Sequence, residues 1–217
     1  MIMFWDLDGP ILDVSLKYYN LYRDILLDNN KLPLDKKDYW RYKRSQMSNY
    51  KILSYSDAQD IINIYNLSWM NMIETKKYQD YDKLQPRIKE ILNNCNTKYD
   101  LVMVTLRSDR NRLFSQLSSV NIINYFSNIL SSGEDIKPRW KIKYNLISNY
   151  LNNLNQDKHL LITDTDTDII AGKKLKFCAI AISNGIRNNN ILLDSKPDYI
   201  FNSISQFYDE YLLKERL

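Results

Sequence analysis

The sequence predicts an α/β protein: a parallel sheet with helices on both faces, interrupted after its first strand by an all-helical insertion. Three observations carry this prediction. Short continuous apolar runs at Ile2–Trp5, Leu101–Val104, Leu160–Ile162, Phe177–Ile182 and Tyr199–Phe201 alternate with segments of helical periodicity, and that alternation builds parallel sheets covered on both sides. Residues 15–82, between the first and second runs, show helical spacing and nothing that reads as a strand. Acids or a hydroxyl stand directly after three of the runs, where ligands bind in such sheets.

The first run delivers Asp6 and Asp8 onto a turn made by Gly9 and Pro10. Two carboxylates two positions apart on one strand face share a side and repel unless a cation or a proton separates them. Leu16, Tyr19, Tyr22, Ile25 and Leu26 then recur at helical spacing from Ser15, a plausible N-cap, to about Asn29. Further helices are expected over about Lys36–Ser48 and Ser56–Lys77, so the organisation is a core of 1–14 and 83–217 with a helical cap of 15–82. Inside the cap, Lys36–Arg44 is a basic run interleaved with aromatics. It reads equally as a solvated helix face and as an anion contact, with Arg41 and Arg44 three apart on one face.

A helix over about Pro86–Asn93 leads to the second run, which ends in Thr105, Leu106 and Arg107. A hydroxyl at the carboxyl end of a parallel strand can hydrogen-bond a phosphate oxygen. A helix over Asn111–Val120 and a short strand ending at Leu130 follow, then three lysines within seven residues, Lys137, Lys141 and Lys143. A helix from Lys143 to Leu154 precedes Leu160–Ile162, which runs into Thr163, Asp164, Thr165, Asp166, Thr167 and Asp168. Three alternate acids after an apolar strand form a dense negative cluster that a divalent cation would resolve. A helix over Ile169–Lys174, a strand over Phe177–Ile182, a loop with Gly185, the short strand Tyr199–Phe201 and a closing helix over Ser203–Leu213 complete the order.

Composition narrows the functions. The formal charge of +4 over 217 residues is modest, so no nucleic-acid polymer is expected as partner. Cys95 and Cys178 are far apart and lack metal-ligand spacing, as reduced cysteines of a cytoplasmic protein would. No apolar run approaches the length that spans a bilayer, and the first residues carry acids where a signal peptide needs a basic and then an apolar stretch, so no membrane partner is expected. The single histidine, His159, reads as a surface residue at a strand entry, which disfavours histidine-based catalysis.

Parallel topology brings the strand ends together, so Asp6, Asp8, Thr105, Asp164 and Asp168 are expected at one edge. At this point the sequence resembles the haloacid-dehalogenase-like hydrolases. Asp6-Leu7-Asp8-Gly9 is similar to the family's first motif, Thr105 after Leu101–Val104 to its second, and Asp164 through Asp168 to its fourth. Pro10 replaces the usual Thr or Val, and Thr163 stands where Gly is usual. The helical insertion matches the type-one cap, and the resemblance implies a Rossmann-like core.

The resemblance further implies that Asp6 is a nucleophile, that Asp8 is a general acid and base, and that Thr105 and a lysine bind the phosphoryl oxygens. Lys143, 21 residues before Asp164, lies nearer the family spacing than Lys137 at 27; Lys141 stays open. Mg²⁺ would be held by Asp6, the backbone carbonyl of Asp8, Asp164 and Asp168. Arg41, Arg44 and Arg107 are candidate substrate contacts. The expected activity is hydrolysis of a small phosphomonoester, such as a sugar phosphate, phosphoglycolate or a nucleotide. The alternatives are a phosphomutase, a non-catalytic phospho-metabolite-binding member and, using Asp164-Thr165-Asp166, a metal-dependent glycosyltransferase. The sequence leaves the oligomeric state open.

Overall fold

The computed structural model describes residues 1–134, 136–151 and 159–214. Six strands form one parallel sheet: β1 (Ile2–Trp5), β4 (Asp100–Thr105), β5 (Asn128–Ser131), β6 (Leu160–Thr163), β7 (Cys178–Ile182) and β8 (Tyr199–Phe201). Their spatial order is β5-β4-β1-β6-β7-β8. Two further strands, β2 (Leu12–Asp13) and β3 (Lys83–Leu84), make a separate two-stranded ribbon.

The first strand is central because all four of its residues are apolar and buried. Phe4 pairs with Val102 on one side and Leu161 on the other, and Trp5 with Met103 and Ile162. Successive residues point to opposite faces. Phe4, Val102, Val104 and Leu161 pack with Ile147 of the helix Trp140–Leu151 and with Phe177. On the other face Trp5 meets Phe207 of the helix Ile204–Phe207, ring centroids 6.4 Å apart. The chain builds β4 and β5 to one side of β1 and then β6, β7 and β8 to the other, so the order reverses at β1. That switch point opens a crevice beyond the strands' carboxyl ends.

The chain divides into two compact units, 1–13 with 84–217, and 14–83. The second unit contains α1 (Ser15–Asp28), α2 (Lys36–Arg44), α3 (Asn49–Ser54), α4 (Ile62–Met72) and α5 (Lys76–Gln79). Asp35 caps α2 and Ser48 caps α3, each side chain accepting a backbone N–H three residues on. The core of this unit is aromatic: Tyr22 and Tyr39 stack at 4.3 Å among Leu21, Leu26, Leu53 and Tyr65. Lys17 and Asp82, at the two ends of the segment, form a 2.9 Å ion pair with both side chains 1% exposed.

Several expectations are corrected. The single helix expected over Ser56–Lys77 is broken into a 3₁₀ turn at Gln59–Ile61, α4 and α5, and α3 lies where a gap was read. Asp57, at φ 47°, turns the chain out of the helical path. The ribbon strands were too short to show as a period. The helix expected over Ile169–Lys174 begins three residues earlier, at Asp166, which removes Asp166 and Asp168 from the loop. The helix expected from Lys143 to Leu154 starts at Trp140, and residues 152–154 of it lie outside the described residues. The closing helix is regular only over Ile204–Phe207 before widening over Tyr208–Leu212. His159 is 4% exposed rather than at the surface: its Nδ1 accepts the Ile2 N–H at 3.2 Å, and its ring meets Phe4 and Phe177 edge-on. Both cysteines are free thiols. Among the described residues no helix is long and apolar enough to cross a membrane.

Candidate active site

Four loops leave the carboxyl edge of the sheet at the switch point, after β1, β4, β6 and β7. The first begins at Asp6, whose N–H continues the ladder to the Ile162 carbonyl at 2.9 Å. Leu12 N–H donates back to the Leu7 carbonyl, and Gly9 N–H to the Leu12 carbonyl, closing a tight turn with Gly9 at φ 102°. An L side chain rarely adopts that conformation.

Lys143 comes from the helix Trp140–Leu151 and is 3% exposed. Its Nζ lies 2.8 Å from Asp6 Oδ1 and 2.5 Å from Asp168 Oδ2. Asp168 sits in the first turn of the helix Asp166–Lys174, and its Oδ2 also accepts the Thr163 hydroxyl at 2.8 Å. Thr163, the residue standing where the family pattern has glycine, therefore orients an acid of the cluster. Of the other two candidate lysines, Lys137 and Lys141 are exposed.

Asp164 is fully buried. Its Oδ2 accepts the Ile186 N–H at 2.5 Å, and its Oδ1 is buried without a hydrogen-bond partner. The carboxylate is walled by two glycines: a Cβ at Gly9 or at Gly185 would lie 2.0 Å from Asp164 Oδ2. Asp166, the middle acid of the run, turns away and meets Arg187 at 3.1 Å.

Asp8 accepts a two-pronged contact from Arg107, Nε to Oδ2 at 2.8 Å and Nη2 to Oδ1 at 2.6 Å. Arg107 is 5% exposed and lies two residues past Thr105, which is 1% exposed at the end of β4. Arg107 was read as a substrate contact; the structure instead spends its fork on Asp8, because planar guanidinium matches carboxylate as well as phosphate. Arg41 and Arg44 lie on α2 in the other unit. Arg41 pairs there with Asp38 at 2.8 Å and lies against the Tyr42 ring.

Electrostatically the cluster is short of positive charge: Asp6, Asp164 and Asp168 are buried around one lysine. Burial, with the charges of Asp168 and Asp164, pushes the Asp6 pKa well above the ordinary carboxylate value although Lys143 opposes it. Burial and the charge of Asp168 push Asp164 up to about 7, against the Ile186 N–H. Burial also raises Asp168, but the charge and hydrogen bond of Lys143 outweigh it and hold that pKa below the ordinary value. Burial alone would discharge Lys143; the charges of Asp168 and Asp6 instead raise its pKa, so it stays an ammonium.

Among the described residues no three His, Cys, Asp or Glu side chains are gathered as a ready metal cage, since Asp6 and Asp168 are turned on Lys143. The donor set nevertheless fits a hard divalent cation. Three buried carboxyl groups face the Lys143 ammonium, two of them raised toward the protonated form that a cation would replace, and Asp164 Oδ1 is an oxygen left over.

A family model described as haloacid dehalogenase-like hydrolase matches residues 2–182. The chain belongs to this family. No curated protein sequence matches it. Among solved structures it is similar to a haloacid dehalogenase-like family hydrolase from Streptococcus pneumoniae, with a TM-score of 0.75, 20% identity and 97% of each chain covered. A predicted phosphoglycolate phosphatase from Haemophilus somnus follows at 0.73, with 19% identity and 96% of each chain covered. A putative β-phosphoglucomutase from Thermotoga maritima gives 0.72 at 17% identity, covering 100% of this chain and 99% of the other. At these identities the structures share the α/β fold with this haloacid dehalogenase-like chain.

Of the residues read from the sequence, Asp6, Lys143 and Asp168 meet, Asp164 lies against the Gly9 and Gly185 positions and Asp8 pairs with Arg107, whereas Arg41 and Arg44 belong to the other unit. Sequence reading missed Thr163 as an acid's partner, Gly185 as a wall, Gln85, whose Nε2 donates to the Gly9 carbonyl at 2.8 Å, and the Asp8–Arg107 fork. Only Gly185 carried a usable signal, being one of four glycines in the chain and placed in the loop three residues past an apolar run.

Proposed function

We propose that the chain is a Mg²⁺-dependent phosphomonoester hydrolase working through an aspartyl-phosphate on Asp6. The observation that carries this reading is the meeting of Asp6, Lys143 and Asp168 within hydrogen-bond distance, with a second acid, Asp8, two residues on. The substrate is a small phosphorylated metabolite, and the chain is assigned to the cytoplasm.

In the first half-reaction a carboxylate oxygen of Asp6 bonds to phosphorus as the ester P–O bond breaks, and Asp8 gives its proton to the departing alkoxide. In the second, Asp8 takes a proton from water, whose oxygen attacks phosphorus and releases inorganic phosphate and the Asp6 carboxylate. Lys143 and the Thr105 hydroxyl hold the non-bridging oxygens, whose charge is shared in the transition state. Arg107 holds Asp8 by its fork, which must open at one oxygen before Asp8 can carry the proton. Asp6, Asp164, Asp168 and the Asp8 carbonyl would hold Mg²⁺, which supplies positive charge that lets an anionic nucleophile approach an anionic phosphoryl group. Arg41 and Arg44 are assigned to the substrate's remainder, and unchanged Michaelis constants in Arg41→Ala and Arg44→Ala would remove that assignment.

The test is Mg²⁺-dependent release of phosphate from p-nitrophenyl phosphate or acetyl phosphate. Activity should vanish with EDTA and in Asp6→Asn. Equal activity in Asp6→Asn, or none in the pure wild type over a broad panel of phosphate esters, would overturn the reading.

A further inference from the structure

Gln85 follows β3 directly and is 6% exposed. A primary amide buried to that degree must find partners at both ends, and this one does. Its Nε2 donates to the Gly9 carbonyl at 2.8 Å, and its Oε1 accepts from Asn184 Nδ2 at 3.3 Å. Its backbone N–H donates to the Ile11 carbonyl at 2.9 Å, tying it to the same turn a second time.

These two partners lie on the two loops whose glycines wall Asp164. Gly9 is on the loop after β1, and Asn184 adjoins Gly185 on the loop after β7. With a Cβ position at either glycine only 2.0 Å from Asp164 Oδ2, the gap between the loops has no slack. A small change in their separation moves the carboxylate or frees it to rotate. Gln85 is the side chain that bridges the gap.

We infer that Gln85 is a positioning residue for the divalent cation: its amide sets the spacing of the Gly9 and Gly185 loops and so the pose of Asp164 between them. This rests on the metal-dependent reading given above. Mg²⁺ demands near-octahedral oxygens at about 2.0–2.1 Å and tolerates misplaced ligands poorly. Groups that orient metal ligands from behind are worth about 10–100-fold in affinity. Gln85 touches no reacting atom, so its loss acts on metal binding and not on substrate recognition.

Isothermal titration of Mg²⁺ into the EDTA-treated, dialysed full chain tests this, with Gln85→Leu, Gln85→Glu and Asn184→Ala beside the wild type. Gln85→Leu, which loses both ends, should weaken Mg²⁺ binding about tenfold or more. Gln85→Glu keeps the acceptor for Asn184 and loses the donor to Gly9, and should weaken it by a similar factor; Asn184→Ala should do so by a smaller one. The Michaelis constant for p-nitrophenyl phosphate at saturating Mg²⁺ should stay within about twofold, a split that general loss of structure would not give. A folded Gln85→Leu chain that binds Mg²⁺ like the wild type overturns the inference, as does an equal loss in the Michaelis constant. If Gln85→Leu does not fold, unchanged Mg²⁺ affinity in both Gln85→Glu and Asn184→Ala overturns it equally. No Mg²⁺ binding by the wild type overturns this inference and the metal reading together, whereas wild-type binding with indifferent variants overturns this inference alone.

Discussion

Replacing Lys143 by methionine withdraws an ammonium from the buried carboxyl groups of Asp6 and Asp168. Methionine keeps most of the length and volume of the lysine stem, so little of the cost comes from a cavity. What is lost is the pair of contacts at 2.8 Å to Asp6 and 2.5 Å to Asp168, made by a side chain 3% exposed. Removing one partner of a buried ion pair costs about 3–5 kcal/mol, because a charge is left in low dielectric. Here uptake of a proton by Asp6 or Asp168 limits that cost, which keeps it inside this range although two acids lose their partner. Each kcal/mol moves the midpoint of a domain this large by about 2–4 °C, so Tm should fall by roughly 6–20 °C. Scanning calorimetry in EDTA measures it. The decisive arm is Lys143→Met/Asp168→Asn: the amide still accepts the Thr163 hydroxyl but carries no charge, so the double variant should melt above the single one. A Lys143→Met midpoint within about 2 °C of the wild type, or a double variant no better than the single, would refute the claim that this lysine neutralises the cluster.

Other outcomes follow from the same geometry. Gly185→Ala sets a Cβ 2.0 Å from Asp164 Oδ2 and 2.5 Å from its Cβ, so it should cost about 1–3 kcal/mol as overpacking; urea melts should show that cost shrinking to a few tenths in an Asp164→Gly background. Asp164, raised to about 7, and Asp6, pushed well above the ordinary carboxylate value by burial, bind protons more tightly folded than unfolded. The metal-free chain therefore loses stability as pH rises from about 4 through about 7, where Asp164 gives up its proton, while Asp168, held low, stabilises throughout that window and loses its contribution only as pH falls below it. Tm in EDTA should be higher at pH 5 than at pH 8, and Mg²⁺ should raise it more at pH 8; the opposite order would refute the assignment. Arg107→Lys keeps the charge but loses the fork on Asp8, so steady-state kinetics should show kcat down about ten- to a hundredfold with KM little changed. A rise confined to KM would return Arg107 to the substrate.

The parallel sheet was legible because its strands are buried on both faces and read as unbroken apolar runs, with Leu101–Val104 and Leu160–Ile162 as plain examples. The placement of the candidate residues after β1, β4 and β6 was legible because parallel topology sends each strand's end to one edge, whatever lies between. The breaks in the cap were not: Asp57 at φ 47° depends on local backbone choice, which composition does not reveal. Nor was the division of the acids. Asp164, Asp166 and Asp168 look equivalent at alternate positions, yet the early start of the helix at Asp166 sends one to Lys143, one to Arg187 and leaves one between glycines. Gln85 was invisible for a simpler reason, since its partners are 76 and 99 residues away.

The ribbon pairs Leu12–Asp13 with Lys83–Leu84, so the chain enters and leaves the inserted segment at neighbouring strands. These strands lie about 4.8 Å apart, so the segment is a closed loop whose span is fixed whatever its contents. The entropy of closing a loop grows only as the logarithm of its length, about 0.6 kcal/mol per doubling. The pairing of Ile2 with Asp100 and of Trp5 with Met103 is therefore insensitive to how many residues intervene. A chain with this connection can lengthen, shorten or exchange what lies between residues 14 and 83 without shifting any strand of the sheet by one register position.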